Sequence, residues 1–151
     1  MKKFRYSMQS LLVIKQKLED QAKAAFAAAQ LRLNEEEEHL LALQRQREEY
    51  VEEKRKVMSE RLDVPKLNRL QLAVEAMDDR IVRQKQNVKK AELALQKAEE
   101  ALIDSMMERK TQERLRENAF EAYRQEMNAE EQKEIDERTS FQYGRGDTEE
   151  A

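Results

Sequence analysis

The chain has 151 residues, 40% of them charged and 5% aromatic, with two glycines, one proline and no cysteine or tryptophan. An average chain of this length carries about 18 glycines and prolines, so a β-sandwich, a barrel or an α/β enzyme is excluded, and the same shortage argues against a globule of several short helices. The 29 basic and 32 acidic residues nearly cancel, to −3, and a seven-residue apolar repeat turns the remaining choice from disorder toward very long helices in a coiled coil.

From the N-terminus, MKKFRYSMQSLLVIKQ holds only four consecutive apolar residues, LLVI, too few for a signal-peptide core. Helix one is predicted over about residues 4–62. Its first half repeats Phe4, Leu11, Leu18 and Ala25 seven apart, with Met8, Ala22 and Ala29 between them. Its second half repeats Leu43, Tyr50, Val57 and Val64, paired with Leu33 and Leu40. The two halves are out of phase by four residues, which predicts a stutter near residues 22–30. Lys15, Arg47, Lys54 and Arg61 fall at nominal core positions, where their stems can cover apolar surface while their heads reach water.

Pro65 is the strong breaker before residue 143. It disfavours helix at Val64, fits the first turn of a following helix, and makes Asp63 the candidate N-cap. The turn is placed at 63–65 and helix two at about 66–138. Such helices are roughly 90 Å and 110 Å long. A connection this short forces antiparallel neighbours, with residue i facing about residue 128 − i. Helix two then overhangs its partner by about 14 residues, roughly 20 Å. It carries the clearer stripe: Leu67, Val74, Ile81, Val88, Leu95 and Leu102 at one position, Leu70, Met77, Ala91 and Ala98 at the other, with Gln84 as the polar exception. Gly144 and Gly146 predict the end of the helix and a flexible tail over 139–151. The fold class is therefore all-α: one domain, 1–151, of two long helices in an antiparallel coiled-coil hairpin. Acid-before-base pairs at four-residue spacing support it, among them Glu19–Lys23, Glu52–Lys56, Asp79–Arg83 and Glu134–Arg138.

Little in this pattern points to catalysis. A two-helix rod offers no enclosed pocket of the size enzymes use. His39 has no partner cluster and reads as a solvent-facing helical histidine. Glu35–Glu38 point around the helix, so they cannot converge on one ion. No catalytic residue, cofactor site, metal site or small-molecule substrate is expected. Lys54-Arg55-Lys56 and Lys89-Lys90 read as solvated faces, and Arg145-Gly146-Asp147 as a chance tripeptide. Met106 and Met107 fit either an adaptable contact surface or a core layer. Residues 1–62 carry +2, 63–107 are neutral and 108–151 carry −5, so nucleic acid is not an expected partner and a basic partner suits the C-terminal part.

Two segments carry a resemblance. FRYSMQSLLVIKQKLEDQA (4–22) has an early aromatic, Gln9 and Leu11–Leu12 in the spacing that opens the flagellar FliJ family, with Met8 where that family usually has leucine. ERKTQERLRENAFEAYRQE (108–126) followed by EEQKEIDER (130–138) resembles the family's C-terminal run. The resemblance spans nearly the whole chain, although only the terminal segments are distinctive.

The resemblance implies a non-enzymatic stalk of the flagellar type III protein export apparatus, similar to the central stalk of rotary ATPases. Such a chain is a monomer when free. It is cytoplasmic and peripherally associated with the inner face of the cell membrane at the flagellar base. It inserts into the hexameric export ATPase, promotes its activity, and contacts the cytoplasmic domain of the export gate and export chaperones. By analogy with rotary stalks, the ATPase-binding residues are Phe4, Met8, Leu11, Leu18, Leu115, Tyr123, Gln132, Ile135 and Asp136. The export-gate candidates are Leu43, Tyr50, Ala73 and Met77; all four can also be read as seam residues, the two readings being even for Leu43 and Met77, and Tyr50 is the stronger contact because its hydroxyl needs water or a partner. The rival readings are the equivalent stalk of a virulence-type III secretion system and a purely structural coiled-coil spacer.

Overall fold

The computed structural model describes residues 2–149, with side chains described through Gly146. It holds two helices, α1 (Gln9–Ser59) and α2 (Val64–Glu149), and no strand among the described residues. They form a helical hairpin. Contacts divide the chain into two compact units, one of Met1–Leu18 with Ser105–Ala151, the other of Glu19–Asp104.

The turn lies in the second unit, at 60–63 rather than 63–65. Ser59 Oγ donates to the Lys56 carbonyl at 3.0 Å, and the Glu60 amide bonds the same carbonyl at 3.0 Å, closing α1. Asp63 caps α2: its Oδ1 accepts the Lys66 amide at 3.2 Å and its carbonyl accepts the Leu67 amide at 3.0 Å. Pro65 sits in the first turn, where its missing N–H leaves no gap in the ladder. Because the turn comes earlier, the pairing is about 125 − i instead of 128 − i: Arg47 meets Asp78, and Lys54 meets Gln71.

The predicted α2 stripe is the seam. Leu70, Val74, Met77, Ile81, Gln84 and Ala91 are buried, and Leu67, Val88, Leu95, Ala98 and Leu102 are half-buried. The predicted stutter in α1 is absent. From Leu12 through Lys15, Glu19, Ala22, Phe26, Ala29, Leu33, Glu36 and onward to Val57, inward residues alternate spacings of three and four without a break. A continuous helix changes phase only by locally unwinding, so within the second unit the register set by Leu33, Leu40 and Val57 carries back to Glu19. The consequence is that Leu18 is left 42% exposed while Glu19 takes the seam position at 3%. Glu19 pairs with Lys23 at 3.3 Å. The expected Asp79–Arg83 pair takes another form, with Arg83 Nε donating to the Asp79 carbonyl at 3.4 Å.

The polar exception in the second unit is fully bonded. Gln84 Nε2 donates to the Glu36 carbonyl at 2.9 Å and to its carboxylate at 2.5 Å, and Gln84 Oε1 accepts from Asn87 at 3.2 Å. Arg32 holds the other oxygen of Glu36 at 3.3 Å. A polar layer of this kind costs stability but penalises every slipped register, because slippage would bury each group without its partner.

Both chain ends differ from the sequence expectation. α1 starts at Gln9, not about residue 4, with the Met8 carbonyl accepting its first helical bond from Leu12. If the helix ran on, the seam spacing would bring Arg5 inward and leave Phe4 off the seam. Without that turn, Phe4 and Tyr6 both reach α2. At the other end, α2 continues through 139–149, where a flexible tail is predicted; residues 150–151 lie outside the described residues. A glycine stops a helix by adopting a left-handed backbone, and neither Gly144 nor Gly146 does so. Arg145 stacks over the Phe141 ring at 5.9 Å one turn back.

Candidate functional site

In the unit built from both ends of the chain, residues 2–8 are strapped onto α2 by aromatic side chains. Phe4 meets Phe120 edge-on at 5.2 Å and Tyr123 at 5.4 Å, and the Arg116 guanidinium sits 5.8 Å from the Phe4 ring centre. The Tyr6 hydroxyl donates to Gln112 at 3.3 Å, and the Tyr123 hydroxyl donates to the Lys2 carbonyl. The strap therefore orders the first residues of the chain without helical bonds.

Of the residues predicted to bind the ATPase, this places Phe4 and Tyr123 together, both half-buried. Leu11 is half-buried, while Met8, Leu18 and Leu115 are 44%, 42% and 44% exposed. Gln132, Ile135 and Asp136 lie apart from these on the exposed length of α2, with Gln132 Nε2 donating to Asp136 at 3.1 Å. Every described side chain from 128 to 146 is exposed. Phe120 and Arg116 were missed by the sequence reading. The signal for them was present, since the predicted pairing set Phe4 level with about residue 124, one turn from Phe120.

In the second unit, Leu43, Tyr50 and Ala73 are half-buried. The Tyr50 hydroxyl accepts from Gln46 Nε2 at 3.3 Å. Met77 is 3% exposed and lies in the seam. Leu43 lines a shallow hollow with His39, Arg80, Arg83, Gln84 and Asn87, and the His39 side chain is exposed.

Among the described residues no group of His, Asp and Glu side chains is placed to hold a metal ion. No helix among the described residues is long and apolar enough to cross a membrane. Searches of curated proteins and of solved structures find no match. The model of the FliJ family, described as flagellar FliJ protein, matches residues 4–148 of the 151, and the chain belongs to that family.

Proposed function

We propose that this protein is a non-enzymatic stalk of the flagellar type III export apparatus. It inserts into the ring of the hexameric export ATPase, promotes its activity, and links it to the cytoplasmic domain of the export gate and to export chaperones at the inner face of the membrane. Family membership across residues 4–148 is the observation that carries this reading. A chain of two helices with exposed leucines supports it physically. An asymmetric insert touches the subunits of a ring unequally and so biases them toward different nucleotide states. That effect is a coupling free energy between contacts and nucleotide sites.

On this reading Phe4, Met8, Leu11, Leu18, Leu115 and Tyr123 face the ATPase, with Gln132, Ile135 and Asp136 engaging it along the exposed part of α2. Leu43, Tyr50 and Ala73 face the gate, over a core that includes Met77. The test is ATP hydrolysis by the flagellar export ATPase of the same organism, with and without this protein and with a variant truncated after Gln125. Stimulation that truncation weakens is the expected result. No stimulation together with no co-purification removes the ATPase from the reading.

A further inference from the structure

α1 carries two apolar stripes over its first turns, and only one is covered. Leu12, on the seam, is 3% exposed. Leu11, Ile14 and Leu18, spaced by three and four, form the second stripe, in which Ile14 is 52% and Leu18 42% exposed. This stripe and the part of α2 beside it lie in the unit made of 1–18 and 105–151.

An antiparallel seam has two flanks, and the polar contacts identify them. On one, Arg116 donates to Gln9 at 3.2 Å, and Gln16, Glu113 and Glu117 line the same hollow. On the other, Lys15 meets Glu108 at 2.8 Å. Leu11 lies four residues before Lys15, Leu18 three after it, and Leu115 one heptad beyond Glu108, so all three share the second flank. Leu115 is 44% exposed. One flank is lined by amides and carboxylates, the other by leucines around a neutralised ion pair.

The surroundings of the leucine flank are positive although the whole chain is −3. Beside Leu11, Leu18 and Leu115 the basic Lys15, Lys17 and Arg114 outnumber Glu108, which pairs with Lys15. Lys17 and Arg114 are exposed.

We propose that this flank docks an α-helix of a partner protein, one with apolar residues at heptad spacing and glutamate or aspartate along its edges. Leu11 and Leu18 are one heptad apart, about 10 Å along the axis, the interval at which a third helix lying along the pair presents its own apolar ridge. The acidic edges face Lys17 and Arg114. A membrane surface would supply negative charge but no seven-residue spacing, so the helix is the better fit. The proposal rests on the ATPase-stalk reading in taking Leu11, Leu18 and Leu115 as a partner surface, and adds the chemistry of what they receive.

The test uses the full chain and two synthetic helices of about three heptads, with the same leucine stripe but either glutamate or lysine at the flanking positions. Fluorescence anisotropy gives their affinities. The glutamate helix is expected to bind about ten-fold more tightly than the lysine helix, and to weaken as salt rises. Ile14→Glu with Leu18→Glu lowers its affinity about ten-fold, Lys17→Glu with Arg114→Glu does likewise, and Gln16→Ala on the other flank leaves it unchanged. Both double variants change exposed side chains, and circular dichroism checks their helicity. Equal binding of the two helices, insensitivity to both double variants, or capture by phosphatidylglycerol vesicles without binding of the glutamate helix overturns the proposal. No ATPase is present in this assay, so its failure leaves a positive stimulation result standing, and a failed stimulation leaves peptide binding standing.

Discussion

Leu12→Ala and Leu18→Ala together decide which stripe of α1 is the seam. Both leucines lie in the same unit, six residues apart, yet Leu12 is 3% exposed and Leu18 42%. Truncating a buried leucine costs about 2–5 kcal/mol, and a two-helix seam can close partly over the gap, so about 2–3 kcal/mol is expected for Leu12. Full burial of a leucine is worth about 1.5–3 kcal/mol; Leu18 has little more than half of that to lose and leaves no enclosed void, so its cost is about 1 kcal/mol. Urea unfolding followed by helix circular dichroism measures both, provided the slope of the transition is unchanged between variants. At about 2–4 °C per kcal/mol, Leu12→Ala melts clearly below Leu18→Ala in a thermal scan. Equal losses, or a larger loss at Leu18, would mean that the Leu11–Leu18 stripe is the buried one, and would remove both the continuous register and the open flank derived from it.

Other outcomes follow from the same structure. Gln84→Ala takes from the Glu36 carboxylate the amide that bonds one of its oxygens and opens a gap at a buried seam position, and costs about 2 kcal/mol in urea unfolding; an unchanged midpoint refutes the polar layer. Phe4→Ala removes the ring that Phe120, Tyr123 and Arg116 surround, so amide hydrogen exchange over residues 2–8 rises while α1 stays protected. Unchanged exchange there would show that the aromatic contacts do not hold the strap. Gly144→Ala meets nothing within 4 Å of its new Cβ and has no left-handed backbone to strain, so it stabilises the last turns of α2 by about 1 kcal/mol and raises helicity. A fall in helicity would argue against a helix through 139–149.

Helix existence, the turn and the α2 seam were all legible in the amino-acid order. Too few glycines and prolines left no way to build short elements, Pro65 with Asp63 marked a helix start, and six apolar residues seven apart left one face to bury. The α1 seam was not legible, because Leu11 and Leu12 are adjacent and Leu18 competes with Glu19; local hydrophobicity favours the stripe that the structure leaves open. The candidate contacts divided in the same way. Residue type and family resemblance pointed to Leu18, Leu115, Tyr50 and Met77, but only packing separates a Met77 that is 3% exposed from a Leu115 that is 44% exposed.

The sequence by itself determined that two long helices pair through an apolar stripe and that they reverse just before Pro65, since composition, periodicity and one proline act locally. Tertiary structure alone decided the phase of α1, the non-helical strap at Phe4 and the exposed leucine flank. Each depends on side chains of the other helix, far away along the chain, and none is encoded in any one stretch.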